Sequence, residues 1–304
     1  MPIKPVDFVW MDGKFVKWDE AKVHVMTHCL QYGTGVFEGI RAYPTHGNLS
    51  VFRLKEHFQR LSNSAKIYMM DVGYSPDQLC DITVELLRKN KMRHTSYIRP
   101  IVFRGFGEFG LNPLGSPVQI AICTFPIGAY LDKGGVRVCT SSWRRIPDVS
   151  LPSSAKSCGA YINSCLAKIE ATLNGFDEAI LLDINGIIGE GSGENLFMVR
   201  DGKIFTPPVS TSILEGITRA STIQIARDQG YDVSEQNIAK SQLYICDELF
   251  FTGTAAELTP VLEIDKRKIG DGKIGPVTSK LKKTFTEIVS GNSTKHSSWL
   301  TQVY

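Results

Sequence analysis

One stretch divides the chain. Pro126–Gly135 reads Pro-Ile-Gly-Ala-Tyr-Leu-Asp-Lys-Gly-Gly, and strand patterning stops before it and resumes at Val136. Proline fixes the backbone and glycine frees it, so such a run interrupts regular structure. It predicts two lobes: a smaller N-terminal α/β domain over 1–125, an interdomain loop over 126–135 and a larger C-terminal domain over 136–304. A length of 304 residues agrees with this division, since domains run to roughly 150 residues each.

Within the lobes, strand and helix periods alternate. Asp12-Gly13 lies between Phe8-Val9-Trp10 and Lys14–Lys17 and predicts an opening hairpin. Leu54, Phe58, Leu61, Ala65 and Tyr68 repeat at helical spacing and predict a helix over 53–70. A second helix follows Ser75-Pro76, with Leu79, Ile82 and Leu86 inward; Ser96–Arg104 and Val118–Phe125 read as strands. Beyond the loop, strands are expected near 136–141, 178–184, 194–200, 203–205 and 248–252. Helices are expected near 159–174, 216–229 and 276–289, and Gly230 stops the second of these. The class is α/β (α+β).

Several functions are excluded at this level. The 34 basic and 31 acidic residues leave a net charge of +3, too balanced for a nucleic-acid binder. Apolar runs such as Val118–Phe125 fall short of the roughly 20 residues that cross a bilayer. No continuous apolar core marks a secretory segment. The seven cysteines are scattered, and none forms a Cys-x-x-Cys pair. Reduced thiols in a cytoplasmic protein are therefore expected, with no zinc or other metal site and no disulfide framework.

Four strings carry chemistry. Lys156 lies in Ser153-Ser154-Ala155-Lys156-Ser157-Cys158-Gly159-Ala160, with small side chains on both sides. Small neighbours let a flat group approach the amine, and a lysine in such a pocket can attack a carbonyl and form a Schiff base. The bland alternative is a solvated lysine in a serine-rich loop. Gly189-Glu190-Gly191-Ser192-Gly193-Glu194-Asn195 sets two acids among three glycines before a hydrophobic strand. Glycine permits close backbone approach, and a carboxylate beneath a pyridine ring keeps its nitrogen protonated; an exposed glycine-rich turn is the alternative. Gly216-Ile217-Thr218 opens a helix and Gly253-Thr254-Ala255 follows an apolar strand, both places where backbone N–H groups gather around a phosphate, or where ordinary capping operates. Arg60 can add charge. Finally, Tyr97, Arg99, Ile101 and Phe103 share one face of a strand. An arginine on such a face calls for an anion, whether a ligand's carboxylate held in bidentate fashion or an internal acid. Pro100 points to an edge or interrupted strand.

In this order along one chain, these strings resemble the fold-type IV pyridoxal-phosphate-dependent aminotransferases, and within them the branched-chain amino-acid aminotransferases. Ala21–Met26, Tyr32-Gly33-Thr34-Gly35-Val36-Phe37-Glu38-Gly39-Ile40-Arg41, Tyr97-Ile98-Arg99-Pro100, Gly189–Phe197 and Gly253–Glu257 carry the likeness. The resemblance implies a two-domain enzyme whose C-terminal domain binds pyridoxal 5'-phosphate. It would move the α-amino group of L-leucine, L-isoleucine or L-valine to 2-oxoglutarate. Lys156 would form the Schiff base and shuttle the proton. Glu190 would pair with the pyridine nitrogen and Tyr161 with the phenolic oxygen. Arg60, Ile217, Thr218 and Thr254 would hold the phosphate. Tyr97 and the backbone at Thr254 and Ala255 would bind the substrate α-carboxylate. Arg99, with Tyr32 and Tyr130, would receive the distal carboxylate of glutamate. Phe37, Gly39, Tyr32, Tyr130 and Tyr97 would shape the side-chain pocket, and Phe109 and Leu111 would reach it from a partner subunit. A homodimer or higher oligomer, up to a hexamer, is implied. The loop over 104–111 departs from the family pattern, which leaves the amino-donor range open. A D-amino-acid aminotransferase or an aminodeoxychorismate lyase on the same scaffold is the neighbouring alternative, and a non-catalytic phosphate-binding module the one from another class.

Overall fold

The computed structural model describes residues 2–128 and 134–304. It holds two compact units, one of Met1–Gly128, Ala155–Gly159 and Glu287–Tyr304, the other made of the remaining chain.

In the first unit, β1 (Phe8–Met11) and β2 (Lys14–Lys17) form the expected hairpin. Its turn residues Asp12 and Gly13 have φ of 47° and 86°, a left-handed pair that aspartate tolerates and glycine adopts freely. Next come α1 (His28–Tyr32), β3 (Gly35–Phe37), β4 (Ile40–Thr45), β5 (Asn48–Phe52), α2 (Leu54–Ile67), α3 (Pro76–Lys89), β6 (Ser96–Arg104) and β7 (Val118–Pro126). The α3 start follows from chemistry: Ser75 Oγ accepts from Gln78 N at 3.2 Å, Gln78 Oε1 accepts from Ser75 N at 2.8 Å, and Pro76 takes the first helical position, where its missing N–H costs nothing. The strands form one antiparallel sheet in the order β5-β4-β6-β7-β1-β2, with Leu300–Gln302 added beside β5 and β3 beside β6. Leu54, Phe58, Leu61 and Ala65 of α2 are fully buried with Ile40, Leu49, Val51 and Ile98 of the sheet. Truncating Phe58 to alanine in such a core costs about 3–5 kcal/mol.

Pro100 does not lie in an edge or broken strand. β6 runs through nine residues between β7 on one side and β4 and β3 on the other. β4 pairs up to Ile40–Ile98 and β3 from Phe37–Ile101, so the missing N–H of Pro100 falls where Glu38-Gly39 interrupt the neighbouring ladder. The break is in the partner, not in the strand that carries the proline.

The second unit contains β8 (Val136–Arg144), α4 (Tyr161–Leu173), β9 (Glu178–Leu182), β10 (Ile188–Gly191), β11 (Asn195–Arg200), β12 (Lys203–Thr206), α5 (Ile217–Asp228), β13 (Val233–Glu235), α6 (Lys240–Leu243), β14 (Glu248–Gly253), β15 (Glu257–Ile264), β16 (Arg267–Lys268) and most of α7 (Pro276–Val289). Its sheet is mixed, in the order β10-β9-β8-β15-β14-β11-β12-β13, with β16 beside β15. β9-β8, β8-β15 and β12-β13 are parallel. Val138, Ile180, Leu196, Leu249, Phe251 and Val261 make its core, and Ala167 and Ala171 of α4 pack close on Ala179 and Leu181. The α/β (α+β) class read from the sequence is the one observed.

The sequence pattern predicts a second domain unbroken over 136–304, and the structure removes two pieces from that range. Ala155–Gly159 joins the first unit because Phe37 N donates to Lys156 O at 3.0 Å and Cys158 N to Gly35 O at 2.8 Å, with Val36 and Ser157 bridged between them. The chain end joins it through Leu300–Gln302 on β5. Gly189–Gly191, for which an exposed glycine-rich turn is the alternative reading, is part of β10, and Glu190 in it is buried. His28 opens α1.

Candidate functional site

Lys156 is fixed to the first unit by its backbone. Besides the bond from Phe37 N, its own N–H donates to Ser64 Oγ of α2 at 3.1 Å. Its Nζ lies 5.2 Å from the centre of the Phe37 ring. The glycines of Gly33-Thr34-Gly35 make this approach possible. A Cβ at Gly33 would sit 2.9 Å from Gly159 Cα, and one at Gly35 would sit 2.8 Å from Cys29 Sγ.

One face of α2 supplies three further groups at helical spacing, His57, Arg60 and Ser64. Arg60 Nε and Nη2 donate to the two oxygens of Glu38 at 2.6 and 2.8 Å, and His57 Nδ1 lies 2.8 Å from Glu38 Oε2. Glu38 is fully buried. Burial alone would push its carboxyl up, but the charge and hydrogen bonds of Arg60 and the His57 contact override that and hold it well below the usual carboxylate range. Burial pushes the His57 imidazole down, against the pull of Glu38, and the charges of Arg60 and Lys156 push it further. Arg60 is therefore a guanidinium already clamped by a carboxylate.

Tyr97 and Arg99 share a face of β6 as the strand period requires. Arg99 Nη2 donates to Tyr97 Oη at 3.2 Å. The guanidinium lies 4.8 Å from the Phe37 ring centre and 5.2 Å from that of Tyr97. Among the described residues no acid pairs with Arg99, and its Nε is buried without a hydrogen-bond acceptor. The internal Asp or Glu that competes with a ligand in the sequence reading is thus not found there. Gly39 makes room for the tyrosine: a Cβ at this position would lie 2.0 Å from Tyr97 Oη. Tyr32 is exposed at the end of α1, its ring 4.7 Å from that of His28. Tyr130 lies outside the described residues. Phe109 and Leu111 are 85% and 84% exposed. Their loop is anchored at both its base and its middle: Arg104 donates to Ser116 O and Met69 O at 3.1 and 2.7 Å, and His28 Nε2 contacts Gly110 O, between the two side chains, at 2.9 Å.

In the second unit, Glu190 is buried on β10. Its Oε1 pairs with Arg145 at 2.9 Å, and its Oε2 accepts from Asn195 Nδ2 at 3.0 Å and Leu214 N at 3.2 Å. Such a network fixes both the position and the plane of a carboxylate. Gly216 caps α5 with no side-chain acceptor, so the N–H groups at Ile217 and Thr218, both buried, lie at the positive dipole end of a twelve-residue helix. Thr254 and Ala255 form the half-buried turn between β14 and β15. Tyr161 is the first residue of α4. Behind Glu190, Glu194 is buried and pushed up to about 8, first by burial and then by the charge of Glu178. Glu178 is itself bound by Lys168 Nζ at 2.7 Å and Ser192 Oγ at 2.6 Å.

Four residues that shape this geometry escape a reading of the sequence: Glu38, His57, Arg145 and Asn195. Glu38 and Asn195 lie inside the quoted motifs, and their position beside glycines is the available signal. His57 falls next to the apolar stripe of α2, where a lone histidine reads as core. Arg145 gives no local signal.

Known proteins carry the same frame. The model of the amino-transferase class IV family matches residues 35–264. The Escherichia coli (strain K12) branched-chain-amino-acid aminotransferase is 44% identical over 100% of this chain and 99% of its own length. Among solved structures, the branched-chain aminotransferase of Thermoproteus uzoniensis, determined with norvaline, is 46% identical, with a TM-score of 0.95 over 98% of this chain and 100% of that one. The branched-chain amino acid aminotransferase of Thermobaculum terrenum, determined in its PLP form, is 34% identical, with a TM-score of 0.94 over 99% of each chain. With the lysine, buried acid and arginine described above lying in one continuous match, the chain belongs to the class IV aminotransferases, within their branched-chain amino-acid group.

Proposed function

We propose that Lys156 is the reacting amine of this branched-chain-amino-acid aminotransferase and that Arg99 is its reader of the second substrate. The enzyme is pyridoxal-phosphate-dependent and moves an α-amino group from L-leucine, L-isoleucine or L-valine to 2-oxoglutarate. The residues present fit that cofactor: a lysine among small side chains, a carboxylate locked in plane by Arg145 and Asn195, and a helix start without a side-chain cap. When bound, pyridoxal phosphate supplies an aldehyde for amines and a ring that accepts the electron pair left when the substrate α-carbon loses its proton.

The chain's own residues then have separate tasks. Lys156 Nζ takes the α-proton and returns it. Glu190 would pair with the ring nitrogen, its carboxylate positioned by Arg145, Asn195 and Leu214 N. Ile217 N–H, Thr218, Thr254 and Arg60 hold the phosphate, with Glu38 and His57 fixing the direction of Arg60. Tyr161 hydrogen-bonds the phenolic oxygen. Tyr97 and the turn at Thr254 and Ala255 bind the α-carboxylate.

The observation that carries the substrate reading is the half-buried Arg99, with Tyr97 and Phe37 beside its guanidinium and no acid paired to it among the described residues. The aromatic rings suit a branched alkyl group and the guanidinium suits the distal carboxylate of glutamate. One pocket thereby serves both half-reactions, with Phe37, Gly39 and Tyr32 lining it. The chain works as a homodimer or larger homo-oligomer in this reading, supported by the exposure of Phe109 and Leu111 on an anchored loop. A cytoplasmic location belongs to the same reading, supported by unpatterned free cysteines. No helix among the described residues is long and apolar enough to cross a membrane.

Borohydride reduction of the loaded enzyme followed by peptide mass mapping tests the role of Lys156, and 2-oxoglutarate-dependent turnover of L- against D-leucine tests the activity. A phosphopyridoxyl group on Lys156 and preference for the L-enantiomer are expected. An unmodified Lys156, or strong D-preference, overturns the assignment.

A further inference from the structure

Cys29 and Cys158 are far apart in sequence and meet beside Lys156. Cys29 is on α1, and its carbonyl accepts from Gly33 N at 2.9 Å as the helix closes. Cys158 is held two residues past Lys156 by the bond to Gly35 O. The two sulfurs converge over Gly35, where a Cβ would lie 2.8 Å from one and 3.1 Å from the other. Any side chain at position 35 would push them apart. The two thiols hydrogen-bond to one another, and both are free and half-buried. Cys29 also lines a groove of about 200 Å3 together with Thr27, Leu30 and Phe103, which gives a small oxidant a path to the pair.

We propose that Cys29 and Cys158 are a dithiol site that a hydroperoxide converts to a reversible disulfide, disabling the neighbouring lysine. Cys158 is the attacking group. Its thiol is held down by the hydrogen bond from Cys29 and by the Arg99 guanidinium, against burial, whereas Cys29 is pushed up by its hydrogen bond to Cys158 and by burial. The Cys158 thiolate attacks one peroxide oxygen and becomes a sulfenic acid, and the other oxygen leaves as an alcohol, or as water from hydrogen peroxide. The Cys29 sulfur then attacks the sulfenic sulfur, loses its proton and expels water. In sum, two thiols and one hydroperoxide give one disulfide, one alcohol and one water.

The consequence follows from the connections. Closing the sulfurs from hydrogen-bond contact to about 2.05 Å tethers α1, which ends at Tyr32, to the segment that carries Lys156. Two backbone bonds to β3 and one to Ser64 hold that segment in place. A displacement of the amine by about 1 Å is enough to cost up to about 100-fold in rate.

The test treats the full-length, cofactor-loaded enzyme with hydrogen peroxide, blocks remaining thiols and maps peptides without reduction. The expected result is a Cys29 peptide linked to a Cys158 peptide with loss of two hydrogens. The leucine/2-oxoglutarate rate should fall about tenfold or more and return with dithiothreitol. Cys158→Ser should keep its rate in peroxide, while Cys165→Ser, altered at an exposed thiol, should behave as the parent does. The activity arm rests on the role given to Lys156; the linkage arm does not. Unlinked peptides at a dose that has already oxidised Cys165 would overturn the proposal, as would linkage with an unchanged rate. Should Cys158→Ser not fold, the parent enzyme's linkage map and its dithiothreitol recovery decide the matter by themselves.

Discussion

Replacing Arg99 by methionine separates the two substrates. Methionine keeps an apolar stem of similar length and removes the charge. The fold should tolerate the change, because among the described residues the guanidinium bonds only Tyr97 Oη, at 3.2 Å, and no buried acid depends on it. The loss is then confined to whatever anion Arg99 receives. A hydrogen bond to a charged partner contributes about 1.5–3 kcal/mol, and each 1.4 kcal/mol is about a factor of ten. The expected fall in kcat/KM for 2-oxoglutarate is therefore roughly 10- to 150-fold, with the leucine half-reaction little changed because leucine has no distal carboxylate. Rapid mixing of the two cofactor forms with one substrate at a time, followed by cofactor absorbance, measures each half-reaction alone. Equal losses for leucine and 2-oxoglutarate would refute the assignment, since that pattern belongs to a general disturbance of the site. An unaffected 2-oxoglutarate step would refute it as well.

The other substitutions probe the groups behind the site. Glu38→Gln removes the buried partner of Arg60 and should destabilise the protein by about 3–5 kcal/mol at neutral pH, read from guanidinium unfolding midpoints. Because the Glu38 carboxyl is held low in the folded protein, its contribution is full above the ordinary value of 4.5 and is lost as pH falls toward the folded value. Parent and Glu38→Gln midpoints should therefore converge in acid, and a constant gap would count against the ion pair. Glu194 has the opposite sign: raised to about 8, it favours the fold below pH 4.5 and loses that contribution as pH rises through about 8. Glu194→Gln, which stays neutral, should flatten the decline in melting temperature between those limits, and a parallel pH curve would contradict the assignment. Gly39→Ala places a methyl 2.0 Å from Tyr97 Oη; it should cost about 1–3 kcal/mol in stability and raise KM for the amino acid, and an unchanged KM would argue against Tyr97 as a carboxylate contact.

Much of the fold is legible in the sequence because periodic burial leaves a local trace. The stripe at Leu54, Phe58, Leu61 and Ala65, the capping pair Ser75 and Gln78, and the turn at Asp12-Gly13 each record a decision made within a few residues. The site is legible where chemistry also leaves a local trace, as in small residues around Lys156 and glycines around Glu190. The rest depends on pairing between distant strands. Nothing near Pro100 reveals that the neighbouring strand breaks at Glu38-Gly39, so the proline reads as a fault in its own strand. At that same break Glu38, its N–H donating to Pro100 O at 2.9 Å, sends its carboxylate to His57 and Arg60 on α2. One irregularity in the ladder thus answers both misreadings: it spares β6 a hydrogen bond its proline cannot make, and it delivers the carboxylate that aims Arg60. A histidine beside an apolar stripe becomes a working residue only once that carboxylate is opposite it, and the register of β3 and β4 on β6 is what puts it there.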